Sequence, residues 1–226
     1  MPDTLRIAFV TIGTSPRADI VPEMVEDILN GRPASALSVE EFGVLDGLSE
    51  AELDVMLAKG DEPRFATSAE DGREVAVSIG RTEERLNALL CRIDGMGFDL
   101  IVLLCTGTKI TPLTHTMVIE AQKVVDHAIE AVTLPAGRLG ILLPLEAQIE
   151  GFAARHPFAV DATIAAGSPY DGAALAPRVV DLADCPIIVM HCMGYTGAMR
   201  DALRANLPGH VLHARGLVSA HVRQFL

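Results

Sequence analysis

No block of Lys or Arg interrupts the 226 residues, and 30 acidic against 18 basic residues leave a formal charge of -12. A nucleic-acid backbone would be repelled by that excess, so neither DNA nor RNA is an expected partner. Long hydrophobic runs are also missing. The longest uncharged apolar stretches, residues 100–105 and 185–190, fall far short of the roughly 18 residues a bilayer crossing needs, and no membrane span is expected. The opening segment MPDTLRIAFV carries Asp3 beside a short apolar run and reads as a first strand rather than a signal peptide.

Cysteine is sparse and unpaired in sequence. Cys91, Cys105, Cys185 and Cys192 form no CxxC motif, which argues against both a disulfide framework and a structural zinc site. Reduced thiols in a cytoplasmic protein are the expectation. There is no His-x-x-x-His pair or carboxylate cluster to recommend a metal, and Gly13 alone is no dinucleotide fingerprint, so no cofactor is expected.

What the chain does have is apolar content of 50%, enough to bury a substantial core. Short aliphatic runs predict strands over residues 5–12, 38–42, 75–79, 99–104, 138–143, 159–165, 186–191 and 210–213. Helix-length segments lie between them, over residues 19–29, 50–58, 81–97, 117–131, 146–155, 173–182, 197–207 and 217–225. In the third of these, Leu86, Leu89, Leu90 and Ile93 repeat at helical spacing, with Gly95 and Gly97 suited to its end. Strands that alternate with helices and read as continuous Val/Ile/Leu runs indicate an α/β fold with parallel sheets flanked by helices. Pro135 and Gly137 break the pattern and divide the chain into lobes of residues 1–134 and 135–226, the last helix being free to pack back on the first lobe.

The ends of the strands are where chemistry is expected in such folds. Two of them echo each other: Leu104-Cys105-Thr106-Gly107-Thr108 and His191-Cys192-Met193-Gly194-Tyr195-Thr196. Each cysteine stands where a hydrophobic strand gives way to a Gly-containing turn that is expected to open a helix. Backbone N–H groups and the helix dipole would then pull the thiol pKa below about 8.5 and could also hold a carboxylate. Two thiols on opposite sides of a carbon beside a carboxylate can invert it without a cofactor, one sulfur charged and the other neutral. The loop Gly13-Thr14-Ser15-Pro16-Arg17 is the second candidate: Thr14 and Ser15 offer hydroxyls, Arg17 could clamp a carboxylate, and Thr14 or Ser15 would also cap a helix with Pro16 in its first turn. His191, next to Cys192, reads mainly as a packed histidine, and Cys91 and Cys185 as structural; Glu146, Gln148 and His115 are weaker cleft candidates.

The sequence Thr11-Ile12-Gly13-Thr14-Ser15-Pro16-Arg17-Ala18-Asp19, the segment Leu142-Leu143-Pro144-Leu145-Glu146-Ala147-Gln148 and the Cys192 turn together resemble the AroM family over nearly the whole chain. Through it, the chain is similar to aspartate/glutamate racemases, hydantoin racemases, maleate isomerases and arylmalonate decarboxylases. That resemblance implies two pseudo-symmetric lobes, each placing a cysteine at a shared cleft, with Cys105 and Cys192 in the matching positions. It implies a racemase or epimerase of a small carboxylate, an amino or hydroxy acid, with catalysis by Cys105 and Cys192. Substrate contacts are expected from Gly13, Thr14, Ser15, Arg17, Thr106, Gly107, Thr108, Gly194, Tyr195 and Thr196, and a homodimer is the default assembly. Decarboxylation, cis–trans isomerisation and carboxylate binding without turnover stand as alternatives.

Overall fold

The computed structural model describes residues 4–132 and 138–226. The expected lobe boundary between residues 134 and 135, with Pro135 and Gly137, lies outside the described residues. The first lobe is built on β1 (Leu5–Thr11), β2 (Leu37–Gly43), β5 (Leu100–Leu103) and β6 (Met117–Glu120), parallel in the order β2-β1-β5-β6. The second lobe is built on β7 (Leu139–Leu143), β8 (Thr163–Ala166), β9 (Ile187–Met190) and β10 (His210–His213). Here the order is β8-β7-β9-β10, again all parallel. Both sheets therefore follow one topology: the first strand of the lobe lies between its second and third, and the fourth lies outside the third. The central strands β5 and β7 are buried at every residue, as their unbroken aliphatic sequences require of strands covered on both faces.

The helices cover these sheets with apolar stripes. Helix α1 (Val21–Leu29) buries Val21, Met24 and Ile28, with Pro22 in its first turn where a missing N–H costs nothing. Ser49 and Glu52 form a capping box at the start of α2 (Glu50–Met56). Helix α3 (Ile79–Ile93) buries Leu86, Leu89, Leu90 and Ile93, the residues its periodicity picks out, and stops before Gly95. Helix α4 (Ala121–Glu130), α5 (Ile149–Arg155) and α6 (Gly197–Arg204) follow, and α7 (Ala214–Val222) packs against both α1 and α4. No helix among the described residues is long and apolar enough to cross a membrane.

Three sequence expectations are corrected. Residues 173–182 form two 3-10 turns, Ala176–Arg178 and Val180–Leu182, rather than an α-helix. Pro177 lies in the middle of that stretch, where it removes a helical N–H and its ring clashes with the preceding turn. Residues 117–131 divide into β6 and α4, because Val118 and Ile119 pair with the outer edge of β5 before the helix begins. The strand near 75–79 is β4 (Glu74–Ser78), which joins no parallel sheet but pairs antiparallel with β3 (Arg64–Ser68) as a separate two-stranded ribbon.

Candidate active site

The common topology brings the two cysteines to equivalent places. At the end of β5, Leu104 N–H donates to the Val10 carbonyl at 2.8 Å; at the end of β9, His191 N–H donates to the Leu142 carbonyl at 2.9 Å. Each bond ties the third strand of a lobe to its first, and the next residue is Cys105 in one lobe and Cys192 in the other. The lobes are joined here as well, since Thr106 Oγ1 donates to the carbonyl of His191 at 3.0 Å.

Both thiols line a single cavity of about 400 Å3. Its floor is made by Cys105, Thr106, Gly107, His191 and Cys192, one wall by β3 with Arg64 and Phe65, and the other by α5 and the turn before it, with Gln148 and Phe152. Gln148 Nε2 reaches across to the Arg64 carbonyl at 3.2 Å, so the ribbon and the second lobe close over the same space. Gly107 lies against the Phe65 ring, whose Cε1 would stand 2.8 Å from any Cβ placed there.

The electrostatics of the thiols differ from the sequence expectation. No helix follows Cys105, and α6 opens only at Gly197, with Thr196 Oγ1 accepting from Met199 N–H at 3.1 Å. The dipole effect is confined to the first turn, so neither sulfur sits in it. Burial instead pushes the Cys105 thiol up to about 12, the nearby Cys192 sulfur adding to the rise, against partial relief from Gly107 N–H and from the hydroxyl and N–H of Thr108. Burial raises Cys192 too, but more groups oppose it: Gly194 N–H donates to its sulfur at 3.4 Å, Arg17 and Arg215 are close, and the Tyr170 hydroxyl donates to it. Cys192 is the better-supported thiolate. The hydroxyl of Thr108 is buried beside Cys105 and has no nitrogen or oxygen partner.

The first-strand loop serves mainly to hold itself in place. A Cβ on Gly13 would overlap Thr67 Oγ1 and come within 2.6 Å of the Ser68 carbonyl, so glycine is required for the ribbon to approach. Thr14 donates to the Ser68 carbonyl from both N–H (3.2 Å) and Oγ1 (3.3 Å), and Ser15 Oγ donates to Asp46 Oδ2 at 2.6 Å. Neither caps α1, whose N-cap is Ile20; the segment between is a turn in which the Arg17 carbonyl accepts from Ile20 and Val21, and Pro22 rather than Pro16 occupies the first turn.

Arg17 is only 3% exposed and its guanidinium is already engaged. Nε and Nη2 donate to the two oxygens of Asp19 at 2.8 and 2.7 Å, Nη1 to Thr11 Oγ1 at 3.0 Å, and Nη2 to the Tyr170 hydroxyl at 3.3 Å. It lines a second cavity with Thr14, Ser15 and Tyr170, not the one that holds both thiols. Tyr170, from the loop after β8, stands between Arg17 and the Cys192 turn, where a Cβ on Gly194 would overlap its hydroxyl. Tyr195 is fully buried in the second lobe and donates to the Gly167 carbonyl at 2.8 Å.

Several contributors escape sequence reading. Arg215, fully buried on α7, donates to the Met193 carbonyl from Nε (3.2 Å) and Nη2 (2.9 Å), to the Asp19 carbonyl at 2.9 Å and to Glu23 Oε2 at 2.7 Å. It thereby fastens the Cys192 turn to α1. His191 is buried with Nε2 2.8 Å from Asp126 Oδ1, and His156 Nδ1 lies 3.4 Å from Asp126 Oδ2. Burial pushes the Asp126 carboxyl up, but the two imidazoles outweigh it and leave the group at about 2. Elsewhere, Glu146 lines a different cavity, His115 packs near Gly95 away from the thiols, Cys91 is exposed and Cys185 is buried. Among the described residues no group of three or more His, Cys, Asp or Glu is placed to hold a metal ion.

A family model described as AroM protein matches residues 7–226. No curated protein matches the sequence. Among solved structures, allantoin racemase from Klebsiella pneumoniae is 15% identical with a TM-score of 0.55, over 98% of this chain and 87% of that one. Aspartate racemase from Picrophilus torridus is 7% identical with a TM-score of 0.58, over 98% and 94%. An unliganded arylmalonate decarboxylase is 12% identical with a TM-score of 0.51, over 98% and 92%. At such identities the likeness is one of fold.

Proposed function

The chain belongs to the AroM family, and we propose that it is a cofactor-independent racemase or epimerase that inverts the carbon beside a small substrate's carboxylate by proton exchange between Cys105 and Cys192. The observation that carries this reading is the placement of both thiols at equivalent strand ends on one cavity. The difference between them orders their ionisation. Cys192, with Gly194 N–H, Tyr170 and two guanidiniums at hand, is the sulfur that ionises first as pH rises and acts as the base, and Cys105 keeps its proton.

In the forward direction the Cys192 thiolate removes the proton from the α-carbon, and the electron pair of that C–H bond spreads into the carboxylate. Cys105 then gives its proton to the opposite face. One C–H bond has broken and another has formed, the negative charge has moved from one sulfur to the other, and the product is the opposite stereoisomer.

The test is exchange of the α-proton and loss of optical purity for small amino and hydroxy acids in heavy water. With a responsive substrate, Cys105→Ser and Cys192→Ser should each lower the inversion rate by about 100-fold or more, the scale of general acid–base contributions. Because burial raises Cys192 above its ordinary range, kcat/KM should still be rising with pH above 8. Inversion that survives loss of either thiol would remove the two-thiol mechanism and leave decarboxylation or isomerisation by one thiol as the alternative.

A further inference from the structure

The walls of the two-thiol cavity point to the kind of acid it takes. Each wall presents carbon to the interior: Ile12, Phe65 and Ile79 from the first lobe, Leu143, Ala147 and Phe152 from the second. No Asp, Glu or Lys lines it. At about 400 Å3 it lies within the range of pockets that enclose drug-sized molecules, about 300–1,000 Å3, and a three- or four-carbon acid would leave much of it unfilled. Two cations stand on it, Arg64 on the ribbon wall and Arg155 at the end of α5. Neither has a carboxylate within ion-pair distance among the described residues. Arg64 is held by its own loop, Nε donating to the Glu62 carbonyl and Nη2 to the Gly60 carbonyl, whereas Arg155 donates only through Nε, to the Gly151 carbonyl at 2.9 Å, and keeps both terminal nitrogens free.

We infer that the substrate is an α-acid with a bulky apolar substituent, aryl or branched alkyl, on the reacting carbon, and not one whose side chain carries a second carboxylate. Arg155 can meet one carboxylate, but Arg64 is already committed to the Gly60 and Glu62 carbonyls, so a second carboxylate buried against these walls would lose its hydration without an uncommitted cation to replace it. An apolar group there is stabilised by the same walls. The Arg155 guanidinium, with the charge of Arg64 behind it, draws the anionic end toward the cavity in a chain whose net charge of -12 would otherwise repel it. This inference rests on the reading above that the two-thiol cavity is the substrate site.

Two matched series isolate the substituent. Mandelate, lactate and malate differ as phenyl, methyl and carboxymethyl on one hydroxy acid; phenylglycine, alanine and aspartate repeat the comparison on one amino acid. Calorimetric titration of the intact chain should give the phenyl member of at least one series a dissociation constant tenfold or more below its two companions. Arg155→Gln, an exposed change, should weaken that binding severalfold and flatten its dependence on salt. Equal or tighter binding of malate or aspartate overturns the inference, as does binding of none of the six or an Arg155→Gln protein that binds unchanged. Proton exchange in heavy water is scored separately on the same acids. Mandelate bound without exchange would sink the racemase reading and leave the substrate class standing, whereas exchange of aspartate without phenyl preference would do the reverse.

Discussion

Alkylating the free protein with iodoacetamide probes the electrostatics of the two strand-end thiols directly. A thiol with the ordinary pKa near 8.5 is about one-quarter thiolate at pH 8, whereas Cys105 at about 12 is ionised about once in ten thousand molecules. That is a deficit of about 2,000-fold. A more basic sulfur is also a stronger nucleophile, with a Brønsted slope of about 0.4–0.5 in thiol exchange, and 3.5 units of basicity return about 40-fold of the loss. Cys105 should therefore label about 50-fold more slowly than an ordinary thiol, before its burial is counted, and its rate should climb tenfold per pH unit through pH 10. Exposed Cys91 should label first, and Cys192 should fall between the two. Peptide mapping of the modified protein over time, at several pH values, measures all four sites. Cys105 outpacing Cys91, or a Cys105 rate that levels off below pH 9, would refute the reasoning that burial governs its ionisation.

Replacing Arg215 with Met breaks a buried ion pair with Glu23 and frees the carbonyls of Met193 and Asp19; the expected loss is about 3 kcal/mol, read as a midpoint lowered by about 6–12 °C. Arg17→Met should cost about 1–3 kcal/mol by denaturant titration, since it leaves Asp19, Thr11 and Tyr170 without their partner; a change below half a kcal/mol would show those bonds to be idle. Asp126 has a folded pKa of about 2 against an ordinary 3.8, so its stabilisation is present above pH 3.8 and is lost as pH falls through 2. At about 1.4 kcal/mol per unit this amounts to about 2 kcal/mol at pH 7, and Asp126→Asn should show that deficit at pH 7 and a shrinking one below pH 4.

The parallel sheets were legible because strands buried on both faces can only be written as unbroken aliphatic runs, and the runs ending in Cys105 and Cys192 were the clearest. The antiparallel ribbon was harder, though its signal was present. Arg64–Ser68 and Glu74–Ser78 flank a five-residue connection that contains Asp71-Gly72, with Gly72 at φ 79, a recognised hairpin signature. The surrounding βα alternation drew Glu74–Ser78 into the wrong sheet. Missing the ribbon meant missing Phe65 and Arg64, and with them one wall of the cavity.

The chemistry of the site was less legible than its location, for a physical reason. A strand-end cysteine can be found from local sequence, but its ionisation is set by what surrounds it, and those groups come from distant segments. Tyr170 stands 22 positions from Cys192, Arg215 stands 23, and Arg17 comes from the other lobe. The same holds for Arg17 itself: a guanidinium after a Gly-Thr-Ser-Pro turn looks free to clamp a carboxylate until Asp19, two residues on, is seen to fill both of its matching donors. Arg64 and Arg155 reverse that lesson. Neither sits in a motif, yet each reaches the two-thiol cavity without a carboxylate partner, whereas Arg17 is buried, paired and lines the neighbouring one. The charge available to an incoming anion is thus the charge that the fold has left unpaired.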